Sequence, residues 1–322
     1  MTRIGYHVSH EQHAPSALLR DVQAAEAAGF TCAMSSEHFR PWSVKQGHAG
    51  HAWSWLGAAL ATTRLPFGII TAPGYRHHPA VLAQSAATLS EMFSERLWLA
   101  LGSGQRLNED VTGLPWPDKA ERTARLAECA AVIRALFEGE TVTHRGRVTV
   151  IDAKLYSRPE RPPLLIAGAV TPETARQVAA WADGLVTVGI DPAKLRPVFE
   201  AFREGGGAGK PIFMQTKVCW DPDPAKALAQ AHAQWASNML EGDANWDLRR
   251  PEDFDTASRF VRPEDVPGYV RVSEDFGRHA AWLAELMELG PAEIIVHQVA
   301  GDQTAFVEAF GRHVLPALGH GG

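Results

Sequence analysis

VSHEQHAPS, Val8 to Ser16, is the first turn between a strand-like and a helix-like segment, and its composition separates two fold classes. Before it, Arg3–Ser9 reads as a strand. After it, Pro15–Ala28 carries apolar residues at helical spacing and closes on Gly29. A doubly wound open sheet places a glycine-rich phosphate-binding fingerprint in this first turn. This chain has His10, Glu11, Gln12 and His13 there instead. A closed barrel gathers its ligand groups from the ends of many strands and makes no such demand on the first turn.

The same alternation continues. Strands are expected at Thr31–Ser36, Pro66–Ala72, Arg96–Leu101, Pro163–Ala167, Gly184–Val188, Pro211–Trp220 and Glu293–His297. Helices are expected at Ala52–Thr62, Pro79–Met92, Lys119–Phe137, Thr171–Trp181, Pro192–Glu204, Pro224–Ala236, Glu274–Leu289 and Thr304–Leu315, several opened by proline. About eight strand–helix units predict an α/β fold, a (β/α)₈ TIM barrel formed as one domain over residues 1–322. Two stretches break the rhythm. TVTHRGRVTVID, at about 141–152, reads as a hairpin-like insertion, and about 238–273 is polar, without a clean period, and expected to be partly mobile.

The bulk numbers narrow the class. Of 322 residues, 45% are hydrophobic and 21% charged, so a large core can form. The net charge of -6 and the lack of a basic run argue against nucleic acid as a partner. Cys32, Cys129 and Cys219 are isolated, which suits a reduced, cytoplasmic setting. No secretory leader pattern and no long apolar run is found, so a soluble protein without a membrane partner is expected. Ten tryptophans and fourteen histidines are the oddity. They suit a pocket for a flat, partly polar ligand, or equally a tryptophan-rich core with satisfied histidines.

Barrel active sites lie at the C-terminal ends of the strands. The residues expected there include His10, Glu11 and His13; Glu37, His38 and Trp42; Arg76, His77 and His78; GSGQRLNE, Gly102 to Glu109; Gly168 to Thr171; Lys217; and His297-Gln298. His10 and His13 stand at i, i+3 and so do not form the HExxH zinc motif; no metal is expected. His77-His78 before a proline reads mainly as a helix-start loop. Gly205–Gly209 lies in a connection at the opposite rim and reads as a flexible turn. Glu37-His38 is the strongest local signal, since a carboxylate beside an imidazole favours its protonated form.

The loops together resemble a known family. S-[DE]-H-F-x-P-W (Ser36 to Trp42), R-x-x-P-A-V-x-A-Q (Arg76 to Gln84), G-[ST]-G-x-x-L-N-E, Y-x-x-S-x-E-Q (Tyr6 to Gln12) and W-D-P-D-P (Trp220 to Pro224) occur in order. The set is similar to the luciferase-like flavin oxidoreductases, most closely to the deazaflavin-dependent glucose-6-phosphate dehydrogenase branch, from residue 3 to about 315. The resemblance implies a homodimeric enzyme that moves a hydride between a flavin-type ring and a small organic substrate. Glu37 would sit against the ring, with Ser103, Gly104, Gln105, Asn108, Gly168 and Ala169 bordering it. Ile69 and Ile70 match a position where the family often has a non-prolyl cis bond. His38 and Trp42 would face the substrate and Glu11 matches a substrate-side acid. Lys217 remains as a cation for the substrate.

Two departures stand out. Gln105 replaces the motif's acid, and an amide cannot pass a proton as a carboxylic acid does. After the sixth strand the chain reads TVGIDP, with Ile190-Asp191 where a phosphate would need a cation, so glucose 6-phosphate is an unfavourable substrate. With that site eroded, FMN is preferred over coenzyme F420, and with FMN monooxygenation becomes accessible. His38, oriented by Glu37, is expected to take a hydroxyl proton as hydride leaves carbon. A metal-dependent barrel hydrolase and a non-catalytic flavin-binding protein are the rival readings; an HxH pair at the first strand, which the former needs, is missing.

Overall fold

The computed structural model describes residues 2–240 and 242–319. Its strands are β1 (Arg3–Val8), β2 (Cys32–Ser35), β3 (Phe67–Thr71), β4 (Leu97–Leu101), β5 (Val142–Arg145), β6 (Thr149–Ala153), β7 (Leu164–Gly168), β8 (Gly184–Val188), β9 (Ile212–Cys219), β10 (Arg271–Val272) and β11 (Glu293–Gln298). Eight of them form a parallel ring in the order β11-β1-β2-β3-β4-β7-β8-β9, and pairing of β9 with β11 from Phe213↔Glu293 to Val218↔Gln298 closes it. The fold is an α/β barrel with eight parallel strands. β5 and β6 form the antiparallel hairpin expected outside the ring.

The strand sequences read as continuous apolar runs because both faces are covered. In β4 all five residues of LWLAL are buried. Trp98 and Ala100 point into the barrel with Cys32, Met34, Ile166, Val186, Phe213 and Ile295, while Leu97, Leu99 and Leu101 pack outward against the helices. The rings of Trp98 and Phe213 stack at 4.5 Å. Gly68 makes room for this pair, since a Cβ there would come within 2.0 Å of the Trp98 ring. Below them Glu293 is fully buried, accepting from Arg3 and from Trp98 Nε1 at 3.3 Å. With that end filled, the barrel opens toward the strand C-termini.

Several helices begin as their sequences dictate, on a side-chain cap followed by proline. His78 Nδ1 accepts from Ala80 N ahead of Pro79–Met92, Asp191 from Ala193 N ahead of Pro192–Phe202, and Asp223 from Ala225 N ahead of Pro224–Trp235. Differences from expectation lie mostly at element ends, as for Pro172–Val178, which stops short of Trp181. Gly205–Gly207 continues from the preceding helix as a tight turn in which Gly206 takes φ +108°.

Two expectations are corrected. The 238–273 segment is folded over most of its length: helices Ala244–Asp247 and Pro251–Ser258, a 3₁₀ stretch Pro263–Gly268 and β10. Each piece is too short to show a period. Its helix starts are fixed by Asp253 accepting from Arg250 N and Asp265 from Arg262 N, each at 3.1 Å, and Phe254 is fully buried. The Ile69–Ile70 peptide is trans. β3 stays in register with β4 across it, Ile69↔Leu99 and Ile70↔Ala100, and that ladder holds extended backbone. Among the described residues, no helix is long and apolar enough to cross a membrane.

Candidate active site

A cavity of about 420 Å³ opens at the C-terminal ends of the strands. Glu11, Glu37, His38, Trp42, Ile70, Ser103, Gly104, Gln105, Asn108, Gly168, Ala169 and Lys217 all lie on its wall. These positions are scattered along the chain and are brought together by barrel closure. Ile69 is the exception among the expected residues. Successive side chains of a strand face opposite ways, so Ile70 meets the cavity and Ile69 is buried in the core beneath the helices.

His38 is held from both ring nitrogens. Nε2 lies 2.9 Å from Glu11 Oε1, and Nδ1 lies 2.8 Å from Asn108 Nδ2. The Asn108 amide is oriented by its other partners: Oδ1 accepts from Phe39 N at 2.9 Å and Arg40 N at 3.2 Å, and Nδ2 also donates to Gln105 Oε1 at 3.1 Å. An N–H therefore faces His38 Nδ1, which makes Nδ1 the acceptor and places the ring hydrogen on Nε2, toward Glu11. Burial works against the His38 imidazolium, but the Glu11 carboxylate outweighs it and raises the pKa. For Glu11, burial favours the neutral acid, yet His38 and the Ser36 hydroxyl hold its pKa well below the usual carboxylate range. Ser36 and Ser9 donate to Glu11 Oε2 at 2.7 and 3.0 Å. Trp42 closes one side, its ring 5.3 Å from His38 and 5.3 Å from Phe254.

Sequence reasoning assigned the orienting role to the wrong acid. Glu37, adjacent to His38 in the chain, turns away from it. It accepts from Thr71 Oγ1 at 2.9 Å and from Arg76, and lies 3.0 Å from His77 Nε2. Arg76 also reaches Glu109, from its backbone N at 3.2 Å and from Nη2 at 3.4 Å. Burial would raise the Glu37 pKa, but His77 and Arg76 bring it down to about 2. Glu109, for which burial outweighs Arg76, is pushed up. His77 thus does more than start a helix, whereas His78 does cap one.

The opposite wall is flat and small. Gly102 and Gly168 end neighbouring strands, and a Cβ on either would meet only backbone oxygens, at 3.9 and 3.8 Å, so it would project into open space. Gly104 has φ +81°, which favours glycine, and its Cβ would lie 3.0 Å from Glu109. Ile70, Ala72 and Val188 complete an apolar surface suited to a planar ring system. Lys119 and Arg122 line the outer part of the cavity. The folded 238–273 segment leans on this rim, with Arg249 donating to Asp110 at 2.6 Å, Trp116 to Asp247 at 2.9 Å and Arg40 to the Arg249 carbonyl at 2.9 Å.

Sequence reading missed His7, Trp235 and Trp246 on the wall. His7 precedes the end of β1, inside the strand, and its signal was the alternation with Gly5. Trp235 ends a helix and Trp246 lies in the aperiodic insertion, where no pattern marks a residue. Among the described residues, no three His, Cys, Asp or Glu side chains are grouped as a metal ion would need.

The family model described as luciferase-like monooxygenase matches residues 1–293. The F420-dependent glucose-6-phosphate dehydrogenase of Beutenbergia cavernae is 35% identical over 99% of this chain and 98% of its own. That of Microbacterium testaceum is 34% identical over 98% and 97%. Among solved structures, an F420-dependent secondary alcohol dehydrogenase in complex with an F420-acetone adduct superposes with a TM-score of 0.92 at 27% identity, covering 98% of this chain and 99% of that one. The F420-dependent tetrahydromethanopterin reductase of Methanopyrus kandleri shares the fold, with a TM-score of 0.79 at 20% identity over 98% and 99%.

Proposed function

Because the chain belongs to the luciferase-like monooxygenase family and is an enzyme of its flavin- or F420-dependent oxidoreductase class, we propose that it is a coenzyme F420-dependent dehydrogenase of a small alcohol. The observation that carries this reading is the Glu11–His38–Asn108 arrangement facing the glycine-walled cradle across one cavity. Bound there, the deazaflavin supplies a hydride acceptor. Gly102, Gly104, Gly168 and Ala169 would hold its ring plane, Ser103 its polar edge, and Lys119 and Arg122 its anionic tail. The side chains supply proton handling and position. His38, with its hydrogen on Nε2 toward Glu11, would take the proton on Nδ1 from a substrate hydroxyl that displaces the Asn108 amide hydrogen there, and Glu11 would stabilise the imidazolium that results. Trp42 and the carbon walls keep water from the reacting carbon.

The sequence-based preference for FMN is not kept. It rested on an eroded sugar-phosphate segment, which concerns the substrate rather than the ring, whereas F420 is named in the relatives that span nearly the whole chain. Their sugar-phosphate substrate is not extended to this chain. Asp191 is engaged as a helix cap, and neither it nor Ile190 places a cation on the cavity wall.

The test is direct. F420 and FMN are titrated separately into the purified protein, and bleaching of bound F420 is followed with a panel of primary and secondary alcohols. Tight binding of FMN with no binding of F420 would overturn the cofactor assignment. Binding of neither would remove the oxidoreductase reading altogether.

A further inference from the structure

The inner part of the cavity holds a charge that proton handling at His38 does not use. Lys217 faces inward from β9, paired in register with His297 of β11, and its Nζ stands 5.1 Å from the centroid of the Trp235 ring. Among the described residues, no carboxylate oxygen lies within 4.0 Å of that nitrogen. The buried acids on the same wall are already matched, Glu11 by His38 and Glu37 and Glu109 by Arg76, while Asp243 lies exposed on the wall and more than 4.0 Å from Lys217 Nζ.

The neighbours of Lys217 are neutral. His297 Nε2 lies 2.7 Å from Gln12 Oε1, and its Nδ1 lies 3.1 Å from Gln215 Nε2. Gln12 donates its own amide to Gln234 and Val299, so its oxygen must accept, which fixes His297 as the neutral Nε2–H form. The His7 ring lies against His297, centroids 4.3 Å apart and tilted by 42°, and burial drives its pKa down to about 3. His7 is only 4% exposed, lines the cavity, and its Nδ1 has no hydrogen-bond partner. Burial alone lowers the Lys217 pKa to about 8, which leaves it mostly protonated at neutral pH.

We propose that Lys217, with His7 beside it, anchors a single carboxylate of the substrate, so that the substrate is a small hydroxy acid, or the matching oxo acid, whose hydroxyl reaches His38. This rests on the dehydrogenase reading above. An ammonium withdrawn from water is stabilised only when an anion and hydrogen-bonding groups meet it. A neutral alcohol would leave it uncompensated. A phosphate dianion would bring a second charge against a single lysine, because His7 and His297 beside it are neutral. One carboxylate balances one lysine. The carboxylate keeps all its bonds; the oxidation takes place at the carbinol carbon near His38.

The test uses matched ligands: 2-hydroxybutanoate, 3-hydroxybutanoate and 4-hydroxypentanoate, each against its neutral amide. Binding to the protein with F420 present is measured by titration calorimetry, for the wild type, Lys217→Met and Lys217→Arg. The wild type should bind at least one carboxylate about 10- to 100-fold more tightly than its amide, the range of a charge-assisted contact. Lys217→Met should abolish that preference and Lys217→Arg retain much of it, with F420 affinity held within about twofold in both. If no carboxylate is preferred over its amide, or if Lys217→Met weakens F420 and both ligand types alike, the assignment is overturned. Failure of the wild type to bind F420 would instead strike the parent reading, and the titration without alcohols reports that separately.

Discussion

Glu11 Oε1 lies 2.9 Å from His38 Nε2, joining the turn after β1 to the turn after β2 at the rim of the barrel. The pair is largely buried, and its members stabilise each other's charged forms, His38 upward and Glu11 downward in pKa. Alcohol oxidation needs His38 neutral, so its rate should climb as pH rises through the His38 pKa. Glu11→Gln removes the charge that raises that pKa. The rising limb should therefore move to lower pH, and kcat/KM should fall roughly 10- to 100-fold as the ring loses its orientation. A pH–rate profile with an unmoved limb would separate Glu11 from the proton path.

His38→Ala removes the base itself. The expected loss in kcat is about 10²- to 10⁴-fold with F420 affinity little changed. Single-turnover bleaching of bound F420 together with a binding titration would check both halves, and wild-type turnover in the variant would show that the proton leaves by another route.

Gly168→Val tests the cradle. The backbone there accepts a side chain, since the nearest atom to an added Cβ is the Leu101 oxygen at 3.8 Å. Thermal unfolding should change little. F420 affinity should drop about 5- to 150-fold, because the added methyls occupy the space of the ring. Unchanged affinity would place the ring elsewhere.

Arg76 bridges two buried carboxylates, so Arg76→Met should destabilise the protein by about 3–5 kcal/mol at neutral pH. In the wild type the Glu37 contribution has a definite sign. Its folded pKa is depressed to about 2, so the stabilisation is present above the ordinary glutamate value and is lost as pH falls toward 2. In the variant Glu109 lacks its cation and Glu37 keeps only His77, so protonating the acids or His77 relieves the defect. The gap between variant and wild type should therefore narrow in mildly acidic buffer, as urea unfolding at two pH values would show.

Gln105→Glu introduces an ionisable group within reach of Asn108. A new limb is expected in the acid region of the pH–rate profile, absent from the wild type. An identical profile would show that this wall takes no part in proton movement.

Much of this molecule is visible in its sequence for a simple reason. Strands buried on both faces must be short apolar runs, and LWLAL cannot be mistaken for a loop. Barrel topology then delivers the strand ends to one place, which is why Glu11, His38, Asn108 and Gly168 could be grouped without coordinates. Direction of a side chain is harder to see. Glu37 and His38 are adjacent, and adjacent residues leave the backbone on different sides, so the nearer acid in sequence was the wrong partner. Ile69 and Ile70 divide in the same way. The 238–273 segment stayed opaque because its pieces are one or two turns long, and its order comes from Phe254 and contacts with the rim rather than from any repeat.

The Asn108 carboxamide has a consequence for timing. Its oxygen is claimed by two backbone amides, so it cannot flip to present an acceptor to His38. A proton arriving on Nδ1 would meet the Asn108 hydrogens head-on, and the imidazole must tilt away to keep it. In the proposed reaction the resting contact would act as a latch, opened in each cycle and reclosed once the proton has gone.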